Sequence, residues 1–200
     1  MAFGGECYFL GTGQGPWAGT GQELYCSDGT PAGTRLVADF YPGINGGAVR
    51  LLGVFQNELY FAGTSGASGI ELCKTDGTAA GTVLVADLNQ FGNGDPVDFT
   101  VAGGLAFFRA TSFGNGTELW VTDGTTAGTR MLNVNAGSAD GVIGVQNRRD
   151  FHLIALGGEV YFQRRAGSFE LYKSDGTAAG TVPVQNAAGQ PFNGQPLGVL

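Results

Sequence analysis

Histidine, paired cysteines and basic residues are scarce in this chain, and each shortage narrows the possible functions. His152 is the single histidine, it lies in the apolar segment FHLIAL, and no Cys-x-x-Cys pair is present. These shortages argue against a zinc site of the Cys/His type and against a Ser/His/Asp triad. The apolar context favours a structural histidine on a strand.

Positive charge is also in short supply. The chain has ten Lys and Arg residues and 17 Asp and Glu residues, which gives a formal net charge of −7. A nucleic-acid partner would require a basic surface, so we expect none. No apolar run approaches the roughly 20 residues of a membrane span. The segment MAFGGECYFL lacks the basic start and the apolar stretch of a signal peptide, so we predict none there.

Glycine, in contrast, is abundant, at 37 of 200 residues. The glycines follow no Gly-X-Y period, and proline is rare, which excludes a collagen-like chain. No segment shows a sustained helical period, whereas short apolar runs alternate with glycine-rich stretches. The sequence therefore predicts an all-β protein with many short strands and tight turns.

One phrase occurs four times in the chain. ELYCSDGTPAGT begins at Glu23, and it returns as ELCKTDGTAAGT, ELWVTDGTTAGT and ELYKSDGTAAGT. Its aspartates are Asp28, Asp76, Asp123 and Asp175, at spacings of 48, 47 and 52 residues. Such a period is typical of a four-stranded propeller blade. We label the strands of each blade A to D, in order along the chain.

Four blades of four antiparallel strands follow from this period. Gly-Gly or Gln-Asn pairs precede each predicted strand B and suit two-residue hairpin turns. We predict one propeller domain, 1–200, with these blades: 196–200 plus 6–40, 50–88, 97–134 and 151–185. The first blade is completed by strand 196–200 pairing with strand 6–11, which removes two exposed edges. The same pairing between chains would instead give a larger ring or a filament.

The four phrases resemble the bacterial ELWxxDGT repeat, and LVADF and LVADL resemble its usual ending. The resemblance covers nearly the whole chain. It implies a large, mostly exported bacterial protein with tandem β-rich repeats, and little chemistry. Two departures stand out. Only the third unit keeps the tryptophan, Trp120, and the fourth unit reads VPVQNA, without the acidic residue that follows strand D.

The repeated Asp-Gly-Thr is predicted to be a structural turn. A catalytic site needs different groups in different roles, whereas here each blade carries the same carboxylates. Aspartate and threonine oxygens satisfy nearby backbone, and glycine supplies a positive φ. Calcium binding is the alternative, although the EF-hand pattern is absent. The predicted turn residues are Asp28, Gly29, Thr30, Asp76, Gly77, Thr78, Asp123, Gly124, Thr125, Asp175, Gly176 and Thr177.

Binding is predicted on the loops that differ between blades, the B–C and D–A loops, because variable loops on a rigid scaffold commonly carry function. These loops combine aromatic, amide and charged residues, which suits stacking on sugar rings or a protein interface; folding inward to plug the loops is the alternative. The candidates are Trp17, Tyr41, Phe91, Asn93, Asp95, Phe113, Arg148, Arg149, Phe192 and Asn193.

Three cysteines are present, so at least one lacks a partner within the chain. Cys7 and Cys26 fall on neighbouring predicted strands and are a possible disulfide. From all these features we expect a non-enzymatic extracellular or cell-surface module for binding, adhesion or self-assembly, without a cofactor. A carbohydrate-binding lectin is the first alternative and a glycan-acting hydrolase the second. The expected partners are another copy of the chain or surface glycans.

Overall fold

The chain folds into antiparallel sheets joined by turns and loops. The structure, a computed structural model, describes residues 1–135, 137–142, 153–166 and 168–192. Within these ranges the strands form four four-stranded sheets, and the only helical element is a 3-10 turn at Gly15–Trp17. None of the described residues belongs to a helix with the length and hydropathy that a bilayer crossing requires.

Two of the sheets lie in a first compact unit, Met1–Pro96. Sheet 1 contains β1 (Ala2–Phe3), β2 (Glu6–Thr12), β3 (Gln22–Ser27) and β4 (Arg35–Ala38). Sheet 2 contains β5 (Ala48–Phe55), β6 (Glu58–Gly63), β7 (Glu71–Thr75) and β8 (Val83–Ala86). Strands adjacent in the chain are adjacent in the sheet, so each sheet is a simple meander.

The other two sheets lie in a second compact unit, Val97–Leu200. Sheet 3 contains β9 (Val97–Ala102), β10 (Leu105–Ser112), β11 (Gly116–Thr122) and β12 (Arg130–Leu132). Sheet 4 contains β13 (Ile154–Leu156), β14 (Glu159–Ala166), β15 (Ser168–Ser174) and β16 (Val182–Pro183). Both sheets repeat the meander order of the first unit.

The A–B hairpin turns explain why glycine pairs recur. Both residues of each turn have positive φ, for example 58° at Gly4 and 85° at Gly5. Glycine adopts this conformation without steric cost, and it matches the twist of a two-residue hairpin. In sheet 2 the same turn is made by Gln56 and Asn57, at φ values of 49° and 59°.

Each unit has its own apolar core between its two sheets. In the first unit, Tyr8, Leu24 and Cys26 of sheet 1 pack with Leu59 and Phe61 of sheet 2. The second unit has an equivalent core between sheets 3 and 4, which contains Phe107, Leu119, Val121, Val160 and Phe162. Alternate residues of each strand face this core, as the period of two in a strand requires.

The predicted fold class, all-β with four four-stranded antiparallel blades, is confirmed. The four sheets begin at Ala2, Ala48, Val97 and Ile154, and they end at Ala38, Ala86, Leu132 and Pro183. Sheet 1 takes its first strand from Ala2–Phe3, a segment that the sequence did not predict as a strand. The predicted strand 196–200 lies outside the described residues. The single domain spanning 1–200 stays a prediction, since the structure divides into two units.

Candidate functional site

The four DGT turns have the same hydrogen bonds. In sheet 2, Asp76 Oδ1 accepts from the backbone N–H of Thr78 at 2.9 Å and from its hydroxyl at 2.7 Å. Thr78 Oγ1 in turn accepts from the N–H of Gly81 at 3.0 Å. These bonds recur around Asp28, Asp123 and Asp175, with distances between 2.7 and 3.0 Å. The turn itself therefore uses one carboxylate oxygen of each repeated aspartate.

The glycines of the phrase are required by this geometry. Gly77 has a φ of +95°, which an L side chain rarely adopts. A Cβ on Gly81 would lie 2.1 Å from Asp76 Oδ1, so no other residue fits there without displacing the carboxylate. The hydrogen bonds from Thr78 hold the pKa of Asp76 below its usual value. Calcium binding at these turns stays an untested alternative.

Three of the repeated glutamates have a role that the sequence did not predict. Glu23, Glu71 and Glu118 are completely buried at the start of strand C. Oε1 of Glu23 accepts hydrogen bonds from the N–H of Gly47 at 2.6 Å and of Tyr41 at 3.4 Å. Each glutamate therefore holds the D–A loop that follows its own sheet.

Glu71 and Glu118, in the second and third copies, hold their loops in the same way. We call Glu23, Glu71 and Glu118 the glutamate anchors. Glu71 accepts from the N–H groups of Leu88 at 2.7 Å and Gly94 at 2.9 Å. Glu118 accepts from the N–H of Val134 at 2.8 Å and lies against Gly141, where an added Cβ would be 2.5 Å from Oε1. Gly47, Gly94 and Gly141 are spaced 47 residues apart, so a glycine recurs wherever the carboxylate approaches the loop.

Burial controls the charge of these anchors. It raises the pKa of Glu23, Glu71 and Glu118 to about 7, against the opposing effect of the backbone N–H donors. A raised carboxylate pKa is a common sign of a general acid. Here each carboxylate faces loop backbone and has no measurable exposure, which indicates a structural function.

The fourth copy differs in its chemistry. Glu170 pairs with Arg164, at 3.2 Å between Oε2 and Nη1. Arg164 also donates to Tyr172 Oη at 2.9 Å, and its guanidinium carbon lies 5.1 Å from the centre of that ring. In the other sheets the residue opposite the glutamate is small: Gly11, Gly63 or Ala110.

The predicted binding residues of the first unit lie on loops, as expected, but not all of them are available to a ligand. Tyr41 is half-buried, and its ring would contact a Cβ placed on Gly66. Asn93 Oδ1 accepts from the N–H of Ile70 at 3.0 Å, which ties a D–A loop to a B–C loop. Phe91 is 75% exposed, and Asp95 is exposed with a φ of 47°.

In the second unit, Phe113 and Phe192 are 68% and 49% exposed. The backbone of Phe192 is paired on both sides, since its N–H donates to Val184 and its carbonyl accepts from Leu171. The predicted residues Arg148, Arg149 and Asn193 lie outside the described residues, as does His152. Nothing in the described part of the chain brings the remaining candidates into one cleft within a unit.

The predicted disulfide between Cys7 and Cys26 is wrong. Cys26 is opposite Tyr8 in the β2–β3 ladder, and Cys7 is opposite Ser27. Since neighbouring residues of a strand face opposite sides, Cys7 is exposed on one face while Cys26 is buried on the other. All three cysteines are free thiols.

An aromatic cleft on sheet 1 contains one predicted residue, Trp17, and two that sequence reasoning missed. The ring of Tyr25 stacks on Phe9 at 5.9 Å between centroids and meets the edge of Trp17 at 5.8 Å. These rings line a cavity of about 190 Å³, which is completed by Gly11, Thr12, Gly13, Gln14 and Thr34. The signal was present in the sequence, since Tyr25 occupies the tryptophan position of the repeat.

A second cavity, of about 180 Å³, lies at the equivalent place in the second unit. Tyr172 and Thr181 occupy the positions that Tyr25 and Thr34 have in sheet 1, and Arg164 and Asn133 make it more polar. Among the described residues, no three Asp, Glu, Cys or His side chains are grouped so as to hold a metal ion.

Comparison with known proteins adds little. No protein-family model matches the chain, and no curated protein matches it either. Among solved structures, the chain is similar to an α-L-arabinofuranosidase from Clostridium thermocellum ATCC 27405, with 15% identity and a TM-score of 0.38. The match covers 91% of this chain and 69% of that chain. Such a distant likeness supports no conclusion about activity.

Proposed function

We propose that this protein is a non-enzymatic binding module, which acts outside the cell or on its surface through its B–C and D–A loops. One observation carries the proposal. The repeated carboxylates, which are the best candidates for catalysis, are hydrogen-bonded within turns and loops of their own sheets. The three buried glutamates therefore position the loops, and one oxygen of each exposed turn aspartate is bound within its own turn.

The B–C and D–A loops differ in length and composition, and they carry exposed aromatic side chains. Phe91 and Phe113 are the most exposed of these rings. Large exposed aromatic side chains are enriched at binding sites, because they bury much apolar area at low cost in conformational entropy. A rigid sheet with variable loops is also a common arrangement for recognition.

Two assays on the purified chain test this proposal. The first is a screen for binding to immobilised glycans and, by light scattering, to a second copy of the chain. The second is hydrolysis of chromogenic glycosides. We expect binding or self-association and no turnover. Turnover that is lost in Glu71→Gln or Asp76→Asn would contradict the proposal, because these residues are assigned to structure.

A lectin is the second candidate function, and the aromatic cleft of sheet 1 favours it. Phe9, Trp17 and Tyr25 form an aromatic surface with hydroxyl and amide groups at its edge. This combination suits a ligand with one apolar face and a polar edge, such as a sugar ring. Binding of glycans in the screen, without self-association, is the outcome expected for a lectin.

A further inference from the structure

The cleft of sheet 1 is unusual among the four copies of the same position. The four equivalent phenylalanines lie opposite the residue at the tryptophan position of the repeat: Phe9 opposite Tyr25, Phe61 opposite Cys73, Phe108 opposite Trp120 and Phe162 opposite Tyr172. Phe61, Phe108 and Phe162 are at most 1% exposed, whereas Phe9 is 38% exposed. Sheet 1 therefore presents to solvent an aromatic position that the other sheets bury.

The B–C loop of sheet 1, residues 13–21, folds over this position. Its 3-10 turn places Trp17 against Tyr25, and Thr20 Oγ1 lies 3.4 Å from Tyr25 Oη. Gly13 makes the approach possible, because an added Cβ would lie 2.1 Å from the carbonyl oxygen of Trp17. The loop thus forms one wall of the cleft, and the exposed ring of Phe9 forms another.

The polar groups at the edge of the cleft are uncommitted. Thr12 and Gln14 are exposed, and neither side chain makes a hydrogen bond to a described residue. None of the residues lining the cavity is charged. The lining therefore offers apolar aromatic walls with neutral donors and acceptors at one edge.

We propose that this cleft binds a single neutral sugar ring, as a free monosaccharide or as the terminal unit of a glycan. This inference rests on the proposed binding function and assigns a site and a ligand class to it. A sugar ring has an apolar C–H face for the aromatic walls and hydroxyl groups for Thr12 and Gln14. The volume of about 190 Å³ is below the 300–1,000 Å³ of drug-sized sites, which points to one ring.

Two features favour a sugar over other occupants. The net charge of −7 and the uncharged lining disfavour an acidic ligand. In sheet 2 the equivalent residue, Phe61, is buried against sheet 1. In sheet 1 the loop that carries Trp17 partly covers this position. A further sheet from a second copy of the chain would therefore meet this loop. The equivalent cavity in sheet 4 is excluded, since Arg164 there lies over the ring of Tyr172.

Tryptophan fluorescence tests the proposal directly. The chain has two tryptophans, Trp17 and Trp120, so Trp120→Phe leaves Trp17 as the only reporter. The indole nitrogen of Trp120 is buried and has no hydrogen-bond partner among the described residues, so phenylalanine removes none of the hydrogen bonds seen there. We expect neutral methyl glycosides of hexoses and pentoses to change Trp17 emission in a saturable way, with a Kd of roughly 1 mM.

The second measurement is calorimetry or saturation-transfer NMR on variants of the residues that line the cleft. Trp17→Ala should weaken binding by about tenfold or more, and Thr12→Val with Gln14→Ala should weaken it as well. Ile44→Ala removes a side chain that is 84% exposed and lies outside the cleft in the same unit, and it should leave binding unchanged.

The possible failures are distinguishable. Sugar binding that survives Trp17→Ala would overturn this site and leave the proposed binding function standing. An unchanged Trp17 emission with every neutral glycoside would overturn the sugar as ligand. If Trp17→Ala instead converts an oligomer into a monomer, the occupant is a second copy, and the inference is wrong. Turnover of a glycoside would contradict the proposed function itself.

Discussion

The backbone N–H of Gly47 donates a hydrogen bond of 2.6 Å to Oε1 of Glu23, a residue 24 positions earlier in the chain. The bond joins the D–A loop that follows sheet 1 to β3 of the same sheet. Glu71 with Gly94 repeats it in sheet 2. A buried carboxylate that accepts backbone N–H groups fixes the course of a loop that has no regular structure of its own.

Stability should therefore depend on pH in a defined direction. Burial raises the pKa of Glu23, Glu71 and Glu118 to about 7, from 4.5 for an exposed glutamate. Between these values the folded chain binds more protons than the unfolded chain, so the free energy of unfolding falls as the pH rises. We expect a loss on the order of 2 kcal/mol for each glutamate, or about 6 kcal/mol for the three together, between pH 5 and pH 8, measured by urea unfolding at constant ionic strength.

Removing one of these carboxylates provides the control for this prediction. Glu71→Gln should make the pH dependence less steep, whereas Glu58→Gln, which removes the partly exposed ion pair with Lys74, should change it much less. Below about pH 4 the sign reverses, because the pKa values of the turn aspartates are lowered and their stabilisation is lost on protonation. A free energy of unfolding that rises between pH 5 and pH 8 would contradict the assignment.

The glycine that faces each anchor should tolerate no side chain. A Cβ on Gly94 would lie 2.5 Å from Glu71 Oε2, so Gly94→Ala must displace a buried carboxylate from its donors. We expect a loss of about 2–4 kcal/mol in the free energy of unfolding. Gly92→Ala is the matched control in the same loop, since its Cβ would have Asn89 Nδ2 as its nearest neighbour at 3.5 Å. Equal effects of the two substitutions would show that the loop, not the carboxylate, sets the cost.

The positions of the hairpins and the DGT turns could be predicted from the sequence because their chemistry is local. Gly4 and Gly5 indicate a positive φ at both turn positions, and the structure has it. The glutamate anchors could not be read in this way, because Glu23 and Gly47 meet only after the loop has folded. The 47-residue spacing of Gly47, Gly94 and Gly141 is the trace that this contact leaves in the sequence.

The error over the cysteines has an equally specific cause. Neighbouring strands were correctly identified, but a disulfide depends on register, and a shift of one residue moves a side chain to the other face. Cys7 and Cys26 differ by that one residue, since Cys26 pairs with Tyr8. The exposure of Phe9 could not be predicted for a different reason: all four copies have a phenylalanine there, and its burial depends on what packs against it.

Two hydroxyl groups pair at the base of each DGT turn. Loss of a hydroxyl should lower the free energy of unfolding more than loss of the threonine methyl group. Thr75 Oγ1 lies 2.8 Å from Thr82 Oγ1 and accepts from the N–H of Gly77 at 3.0 Å, and Thr75 is completely buried. Thr75→Val keeps the shape but removes the acceptor of the Gly77 N–H and leaves Thr82 Oγ1 with its bond to the carbonyl of Thr78 alone, so we expect a loss of about 1–3 kcal/mol in urea unfolding. Thr75→Ser keeps the hydroxyl, as Ser27 and Ser174 do in other copies, and should cost less than about 1 kcal/mol. A larger loss with serine than with valine would refute this role of the hydroxyl.

Thiol labelling should separate the three cysteines by exposure. Cys7 is exposed, whereas Cys26 and Cys73 are buried, and burial raises the pKa of both buried thiols. A thiol reagent such as DTNB should label one residue in the native protein, identified as Cys7 by peptide mapping, and all three in denaturant. Non-reducing mass spectrometry should find no loss of two hydrogens. If Cys7 and Cys26 were both protected from labelling, the result would support the disulfide that the strand register excludes.

Arg164 and Glu170 should be energetically coupled, because their side chains form an ion pair in the described part of sheet 4. Both side chains are 21% exposed, so the pair is partly shielded from solvent. Arg164→Ala leaves Glu170 and Tyr172 Oη without their donor, and we expect a loss of about 1–3 kcal/mol. Adding Glu170→Gln to this variant should cost less than it does in the parent chain, with a coupling free energy of about 0.5–1.5 kcal/mol in a double-mutant cycle. Strict additivity would show that Arg164 acts through its bond to the carbonyl of Val134, at 2.8 Å, and through packing on Tyr172.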